Sequence, residues 1–330
     1  MNKSDDLLDG LKEHLKNASH ADRPKPCKRR ARKNHVVRRV SLRSTHPAFK
    51  SLEAPLISIL LALTGLLFGA ATQAQELPQE SPVPGGIALV PLTADSEPAP
   101  QVHFADQRVM VIRHEGRWLA VVGLPLTLKP GPQFIKAQDG QGKTQEYPFT
   151  VQPKEYAEQH LTLKNKHMVN PSAAELARIG REQAIIQRAF AAWTDTAPAS
   201  LRLLLPAQGP MSSIFGLRRF FNNEPRQPHS GIDIAAPIGA PVVAPMSGTV
   251  IETGEYFFNG KTIFIDHGQG FVSMFNHLSR FTVKRGAHVD QGQKIGEVGK
   301  SGRVTGPHLH WTVSLNNSRV DPTLFLPEIK

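Results

Sequence analysis

Short apolar runs alternate with turn-forming residues along residues 87–153. Turns are indicated at 129–132 (Lys-Pro-Gly-Pro) and 139–142 (Asp-Gly-Gln-Gly). Turn signals spaced about ten residues apart are typical of a small all-β domain. We therefore predict a β-sandwich-like N-terminal domain over 87–153. Its candidate strands are Ile87–Leu92, Arg108–His114, Trp118–Gly123, Gln133–Ala137 and Gln145–Val151.

The pattern changes to a helical one over residues 154–200. Ser172 and Glu175, three residues apart after Pro171, form a capping-box sequence that predicts a helix start. Apolar residues then follow loosely helical spacing to about Trp193. We predict a helical connector over 154–200, and two roles stay open for it: a spacer between domains, or an inhibitory strap over the site that follows.

Strand signals return over residues 201–330. Residues 241–251 and 287–298 have similar sequences in which β-branched residues alternate and glycines stand at corners, which predicts a tightly curved antiparallel β-barrel or sandwich. The chain is therefore expected to be mainly β. Biotinyl and lipoyl carrier domains share this internal similarity. They need a modifiable lysine in a Met-Lys-Met or Asp-Lys-Ala setting, and the sequence has neither, which argues against a carrier.

The net charge of +11 is concentrated at one end of the chain. Residues 1–53 carry 14 Lys and Arg against 6 Asp and Glu, a net of +8 that leaves +3 for the rest. This leader is expected to be disordered and cytoplasmic. Its basic run at 28–33 precedes an uncharged segment, as positive-inside topology requires. The charge therefore indicates membrane topology, and we expect no nucleic-acid partner.

The uncharged segment covers residues 54–75 and fits two interpretations. It is either the apolar region of a signal peptide or a transmembrane anchor. Residues 76–86 are rich in proline and predict an extended tether. Cys27 is the only cysteine, so the remaining chain has neither disulfides nor thiolate ligands. All these features place the chain after residue 75 outside the cytoplasm, in the periplasm, either soluble or anchored in the inner membrane.

Candidate chemistry is confined to a few residues of the last domain. His229 and Asp233 are four apart, His308 and His310 are two apart, and His277 lies between the two pairs. Neutral imidazoles with one carboxylate suit a zinc ion. On a strand, residues two apart point to the same face.

These motifs together resemble the lysostaphin/LytM-type zinc metalloendopeptidases of peptidoglycan. The family pattern is His-x-x-x-Asp, then a His-Leu in a strand, then Thr-Gly-x-His-x-His, and all three parts occur here in order. The resemblance covers about residues 201–330 and includes 213–218 (Ser-Ile-Phe-Gly-Leu-Arg) and 266–268 (Asp-His-Gly). Two departures are Phe275, where tyrosine is common, and Trp311, where a smaller aromatic residue is common.

The resemblance implies a duplicated-hybrid-motif fold and a role for each of the five residues. His229, Asp233 and His310 would bind one zinc ion per chain, and His277 and His308 would assist catalysis by zinc-activated water. The implied reaction is endopeptidase cleavage of peptidoglycan stem peptides, at D-Ala–diaminopimelate cross-links or at glycyl bridges.

The alternative that the family offers is a non-catalytic LytM-like activator of cell-wall amidases. Relatives of that kind lose zinc ligands, whereas this sequence retains all three. Cell-wall regulatory proteins are therefore candidate partners beside the stem peptides. Phe257, Phe258 and Asn259 are expected to line the groove. Arg218 either binds substrate carboxylates or braces its loop, and the sequence leaves both open.

Overall fold

The computed structural model describes residues 76–93, 98–198 and 200–327. The predicted leader (1–53) and apolar segment (54–75) lie outside the described residues. Within the described ranges, no helix is both long and apolar enough to cross a membrane.

Six antiparallel strands form the N-terminal sheet, in the order β1-β4-β3-β2-β5-β6. They are β1 (Ile87–Pro91), β2 (Gln101–Phe104), β3 (Gln107–His114), β4 (Arg117–Gly123), β5 (Gly131–Gln138) and β6 (Thr144–Val151). Five of them match predicted strands within two residues at each end. β2 was not predicted. Strand β3 pairs with β2 near its start and with β4 over its later residues, so one sheet folds over a shared core.

Alternate residues of β3 are buried on opposite faces of this sheet. Val109 and Val111 pack into the core of the N-terminal sheet, whereas Met110 and Ile112 pack into the core of the following domain. Successive side chains of a strand point to opposite faces, so burial on both faces requires an unbroken apolar run. The N-terminal sheet is thus held against the barrel by a continuous core.

The remaining elements begin at residue 158. They are β7 (Glu158–Leu161), helix α1 (Ala173–Phe190), β8 (Met211–Ser213), β9 (Arg218–Phe221), β10 (Glu224–Pro225), β11 (Ile232–Ala235), β12 (Pro241–Val243), β13 (Gly248–Tyr256), β14 (Gly260–Gly268), β15 (Phe271–Phe281), β16 (His288–Val289), β17 (Lys294–Val298), β18 (His308–Leu315) and β19 (Ser318–Val320). Two 3₁₀ turns, Lys166–Met168 and Pro322–Phe325, complete the secondary structure.

The prediction of a helical connector over the whole of 154–200 was wrong at its start. Helix α1 covers only Ala173–Phe190, and Glu158–Leu161 forms a strand that pairs in parallel with β9. Four residues with little apolar alternation carry no local strand pattern, so tertiary pairing decides their conformation. The capping box is confirmed, because the backbone N–H of Ser172 donates to the Glu175 carboxylate at 2.7 Å.

Helix α1 packs against the outside of the barrel. Phe190 makes an edge-to-face contact with Phe264, with ring centroids 5.3 Å apart. Glu182 accepts a hydrogen bond from the backbone N–H of Phe257 at 2.7 Å. These contacts fix the helix on the barrel, and its role as a spacer between the two domains stays a prediction.

The C-terminal domain is a strongly curved antiparallel sheet. Its main path is β16-β13-β14-β15-β18-β11-β8, and β17 joins β15 to β12. Leu309, Trp311 and Val313 of β18 lie in the core between its layers. Phe275 and Trp311, the two departures from the family pattern, are both fully buried in this core. The predicted barrel is confirmed, and its central strand β18 carries two of the candidate histidines.

Candidate active site

Three of the predicted residues converge on one point at the end of β11 and β18. Asp233 and His310 are directly paired across these two strands, and His229 precedes β11 by three residues. Asp233 Oδ1 lies 2.8 Å from His310 Nδ1 and 3.0 Å from His229 Nε2. The two imidazole nitrogens are 2.9 Å apart. All three side chains are buried, and they form the one three-residue group of potential metal ligands in the part of the chain that the structure describes.

Gly231 allows these side chains to meet. A Cβ atom at this position would lie 2.3 Å from the carbonyl oxygen of Trp311 and 2.9 Å from Nε2 of His310. Both distances are shorter than any real carbon contact, so a larger residue would push β11 and β18 apart. The glycine between His229 and Asp233 is therefore a requirement of the site and is not a mere turn residue.

Neighbouring groups fix the orientation of each converging side chain. His229 Nδ1 donates to the carbonyl of Ile214 at 2.7 Å, and His310 Nε2 hydrogen-bonds Thr312 Oγ1 at 2.9 Å. With its proton on Nε2, His310 turns an acceptor nitrogen toward Asp233, as His229 does. Three acceptor atoms with no proton between them then converge, an arrangement that a cation stabilises.

The electrostatics of the three residues agree with cation binding. Burial lowers the pKa of His310 to about 4 and keeps its imidazole neutral. Burial alone would raise the pKa of Asp233, but contacts with His229 and His310 outweigh it and hold the pKa well below its usual range. Two imidazoles and one carboxylate, each with an outer partner, fit a zinc ion by the chemistry of their donor atoms.

Arg219 is the outer partner of the carboxylate. Its guanidinium donates to Asp233 Oδ2 at 2.9 Å and to Gln159 of β7 at 3.0 Å. Oδ2 is thus occupied, and Oδ1 is left facing the two histidines. The sequence pattern indicated Arg218 instead, but Arg218 is largely exposed and pairs with Glu158 at 3.0 Å. Adjacent strand residues point to opposite faces, and only the strand register distinguishes the two arginines.

His277 and His308 lie beside the three converging residues. Their ring centroids are 4.8 Å apart, and His308 Nε2 is 3.8 Å from Asp233 Oδ1. Nδ1 of each ring donates to a backbone carbonyl: that of Ser301 for His277 and that of Gly306 for His308. Among the described residues, Nε2 of neither histidine has a hydrogen-bond partner. Burial, followed by the neighbouring His308, lowers the pKa of His277 well below its ordinary value.

A β-bulge in β15 turns His277 toward the site. Lys261 pairs with Leu278 and Ile263 with Phe275, so two residues of β15, Asn276 and His277, oppose one residue of β14. His277 has a φ of 65°, a left-handed conformation that is rare for residues other than glycine. The bulge places Asn276 and His277 on the same cleft although they are neighbours in a strand.

The site opens into a cleft of about 180 Å³, lined by three of the five predicted site residues. Its walls include His229, His277, His310, Asn276, Phe258 and Arg303. Phe258 and Asn259 line the cleft as predicted, whereas Phe257 does not and instead packs near Arg178 of α1. No described residue before Arg219 lines the cleft, so α1 does not cover it. The structure thus brings all five predicted site residues together, and it adds Arg219 and Arg303, which no sequence motif indicated.

Comparison with known proteins decides the family. The model of "Peptidase family M23" matches residues 227–322, and that of "Peptidase family M23 N-terminal domain" matches residues 80–154. A crystal structure of a putative peptidase M23 from Pseudomonas aeruginosa is 44% identical, with a TM-score of 0.64 over 74% of this chain and 95% of that one. The chain belongs to peptidase family M23.

Curated relatives match about a third of this chain. Over 112 residues the chain is 40% identical to the peptidoglycan DD-endopeptidase ShyA of Vibrio cholerae, an alignment that covers 34% of this chain and 26% of ShyA. It is 39% identical over 112 residues to the DD-carboxypeptidase/endopeptidase Mpg of Neisseria meningitidis, covering 34% and 26%. The alignments thus span about a quarter of the length of these relatives.

Proposed function

We propose that this M23 protein is a zinc-dependent endopeptidase that hydrolyses the peptide cross-links of bacterial peptidoglycan, at D-Ala–diaminopimelate bonds. The convergence of three buried donor atoms beside two histidines with unshared Nε2 atoms carries the proposal. The names of the related DD-endopeptidases support the choice of bond. All the ligand positions are filled by ligand-type residues, which argues against the alternative of a non-catalytic amidase activator.

His229 Nε2, Asp233 Oδ1 and His310 Nδ1 would hold the zinc ion, one per chain. A bound zinc ion supplies Lewis-acid chemistry and lowers the pKa of water to about 7. Arg219, Thr312 and the carbonyl of Ile214 keep the three donors in place. The roles of the protein residues follow from which nitrogen of each ring is free.

His277 and His308 would move the protons of the reaction. Each holds its Nδ1 proton on a backbone carbonyl, so each Nε2 keeps a free lone pair, which His277 presents in the wall of the cleft. One Nε2 accepts a proton from the attacking water as the water oxygen bonds to the scissile carbonyl carbon. The same proton is then delivered to the amide nitrogen as the C–N bond breaks, so that a carboxylic acid and an amine form. The acid gives its remaining proton to the amine or to solvent, and the products leave as a carboxylate and an ammonium group or amine. Burial of His277 favours its neutral form, which a base requires.

The full chain, loaded with zinc, should cleave purified muropeptide dimers that carry D-Ala–diaminopimelate cross-links, with products identified by mass spectrometry. Chelation should abolish cleavage, and zinc should restore it. Dimers joined by glycyl bridges are the comparison substrate, and preferential cleavage of these would replace the assigned bond. No cleavage of either substrate, together with stimulation of a cell-wall amidase, would establish the activator instead.

We also propose that the protein acts in the periplasm, either released or anchored through residues 54–75. The basic leader before an uncharged segment and the absence of cysteine after Cys27 support this location. A reporter that is active only outside the cytoplasm, fused after the last residue, should be active. Activity of a cytoplasm-specific reporter at the same position would contradict the proposal.

A further inference from the structure

Arg303 contacts two aromatic rings in the wall of the cleft. Its guanidinium carbon lies 4.1 Å from the ring centroid of Phe258 and 4.7 Å from that of Phe221. Its backbone N–H donates to the carbonyl of Phe258 at 2.9 Å. These cation–π contacts stabilise the positive charge but give its N–H donors no carboxylate or carbonyl acceptor.

Gly302 makes this placement possible. It has a φ of 74°, and a Cβ atom there would lie 2.4 Å from the backbone nitrogen of Gly260 and 2.5 Å from the carbonyl oxygen of Phe258. The loop before β18 can therefore approach the turn between β13 and β14 only with glycine at this position. The arginine that follows is fixed by backbone geometry as well as by the rings.

Arg303 lacks a counterion, unlike the arginines nearest to it. Arg219 pairs with Asp233 at 2.9 Å, and Arg226 pairs with Glu224 at 2.6 Å. No carboxylate among residues 76–93, 98–198 and 200–327 lies within ion-pair distance of Arg303. Its side-chain hydrogen bond to protein is a long one, 3.4 Å, to the carbonyl of Met168.

Arg303 stays positively charged at neutral pH although it is partly buried and has no counterion among the described residues. Burial, and then the charges of Arg226 and Arg219, lower its pKa to about 10, which still leaves the guanidinium cationic at neutral pH. A cation removed from water without a partner is costly, and the cost is offset when an anion arrives with a bound ligand. The cleft that Arg303 lines also contains His277 and His310, so the anion would be part of the molecule that reacts.

We propose that Arg303 binds a substrate carboxylate next to the scissile amide. The presence of this carboxylate would then determine which cross-links the protein cleaves. The inference rests on the proposed function and names a feature of the substrate. In a D-Ala–diaminopimelate cross-link, the carbon that bears the amide nitrogen also bears a free carboxylate. A glycyl bridge has only a methylene at that position. A planar guanidinium forms paired hydrogen bonds with a carboxylate and cannot do so with a neutral amide.

The test compares two cross-linked peptides that differ only in this carboxylate, free in one and converted to its amide in the other. The zinc-loaded full chain is measured on both, beside Arg303→Gln and Arg303→Lys. The wild type should prefer the free carboxylate in kcat/KM by roughly 10- to 100-fold, the usual value of charge-assisted hydrogen bonds. Arg303→Gln should lose that preference, with a ratio below about 3, and Arg303→Lys should fall between them.

Arg285→Gln is the matched control, because Arg285 is exposed and pairs with Glu252 at 3.6 Å on the barrel surface. It should keep the full wild-type preference. Zinc content and circular dichroism check each variant. A wild-type preference below about 3, or an unchanged preference in Arg303→Gln, would overturn the proposal. If Arg303→Gln does not fold, Arg303→Lys and the wild-type ratio still decide the outcome.

Failure of the proposed function gives a different result. The wild type would then cleave neither peptide, and calorimetric titration with the amine product in its carboxylate and amide forms measures the preference without turnover. Tighter binding of the carboxylate form that is lost in Arg303→Gln would support the subsite. Equal binding of the two forms would exclude it.

Discussion

The N-terminal sheet and the barrel bury different kinds of side chain. In the described residues, every buried polar or charged side chain lies after residue 212, whereas those buried in β1 to β6 are apolar or aromatic. Burying a polar group is costly unless its hydrogen bonds are satisfied. The barrel therefore buries polar side chains at a cost in folding free energy, whereas the N-terminal sheet buries apolar and aromatic side chains and contributes packing.

The two regions also differ in backbone conformation. In the N-terminal sheet, positive φ angles of non-glycine residues occur at turns, at Ala105 and Glu115. In the barrel, His277 adopts one inside a strand. Strain of this kind persists where the surrounding structure fixes it, and it concentrates at functional sites. Substitutions should therefore reduce catalysis in the barrel and reduce only stability in the N-terminal sheet.

The largest expected effect is that of removing a ligand from the barrel. His310→Ala should lose most of its zinc and its turnover, by well over the 10- to 100-fold typical of losing an outer partner. His103→Ala, a half-buried histidine of β2, should change neither quantity. Zinc content by atomic absorption, beside turnover on muropeptide dimers, measures both variants. Retention of zinc by His310→Ala would remove it from the ligand set.

The next effect separates the two kinds of site histidine. His308→Ala and His277→Ala should keep zinc and lose turnover on the order of 10²–10⁴-fold, the usual contribution of one positioned acid–base group. The double variant should lose less than the product of the single losses if both act on the same proton. Metal content and kcat are measured on the same preparations. Loss of zinc from His308→Ala would reverse the assignment.

A smaller effect is expected from the partner of Asp233. Arg219→Gln should weaken zinc binding by about 10- to 100-fold, because it frees Oδ2 and lets the carboxylate turn. Arg218→Gln is the matched control on the adjacent residue and should bind zinc as the wild type does. Competition with a chromogenic chelator gives both constants. Equal affinities of the two variants would argue against a positioning role for Arg219.

The smallest effect should arise where the two regions meet. Asn316 accepts a hydrogen bond from the backbone N–H of Gly123 at 2.7 Å and donates to its carbonyl at 2.9 Å. Asn316→Gly keeps the left-handed turn and removes both bonds. It should lower the free energy of unfolding by about 1–3 kcal/mol without changing turnover per folded molecule. Gln145→Ala, at an exposed residue of β6, is the control in chemical denaturation. A change in the kcat of Asn316→Gly would show that the interface affects the site.

Sequence patterns sufficed where one local rule decides the structure. Turn spacing located five of the six strands of the N-terminal sheet, and Ser172 with Glu175 located the start of α1. The metal-ligating and catalytic roles of the histidines stay predictions, but their assembly at one point is observed. The three motifs predicted this assembly because they occur in the same order as in the family pattern.

Sequence patterns failed where the pairing of distant strands decides the structure. β7 forms because β9 offers it a parallel partner, and nothing in residues 158–161 indicates this. The choice between Arg218 and Arg219 depends on which face of β9 turns to the site. Arg303 stands out only in the structure, where Phe221 and Phe258, which are far apart in sequence, both contact its guanidinium.

The pairing of β11 with β18 also determines when the site can exist. Asp233 and His310 are 77 residues apart, and β18 lies between β11 and β15 in the sheet. Closing so long a loop is slow, and its entropic cost precedes any gain from the contacts. A chain still emerging from the ribosome has two of the three donors until β18 arrives. If the three residues bind zinc as proposed, zinc uptake would measure completed folding, and the proposed hydrolysis would begin only after the barrel closes.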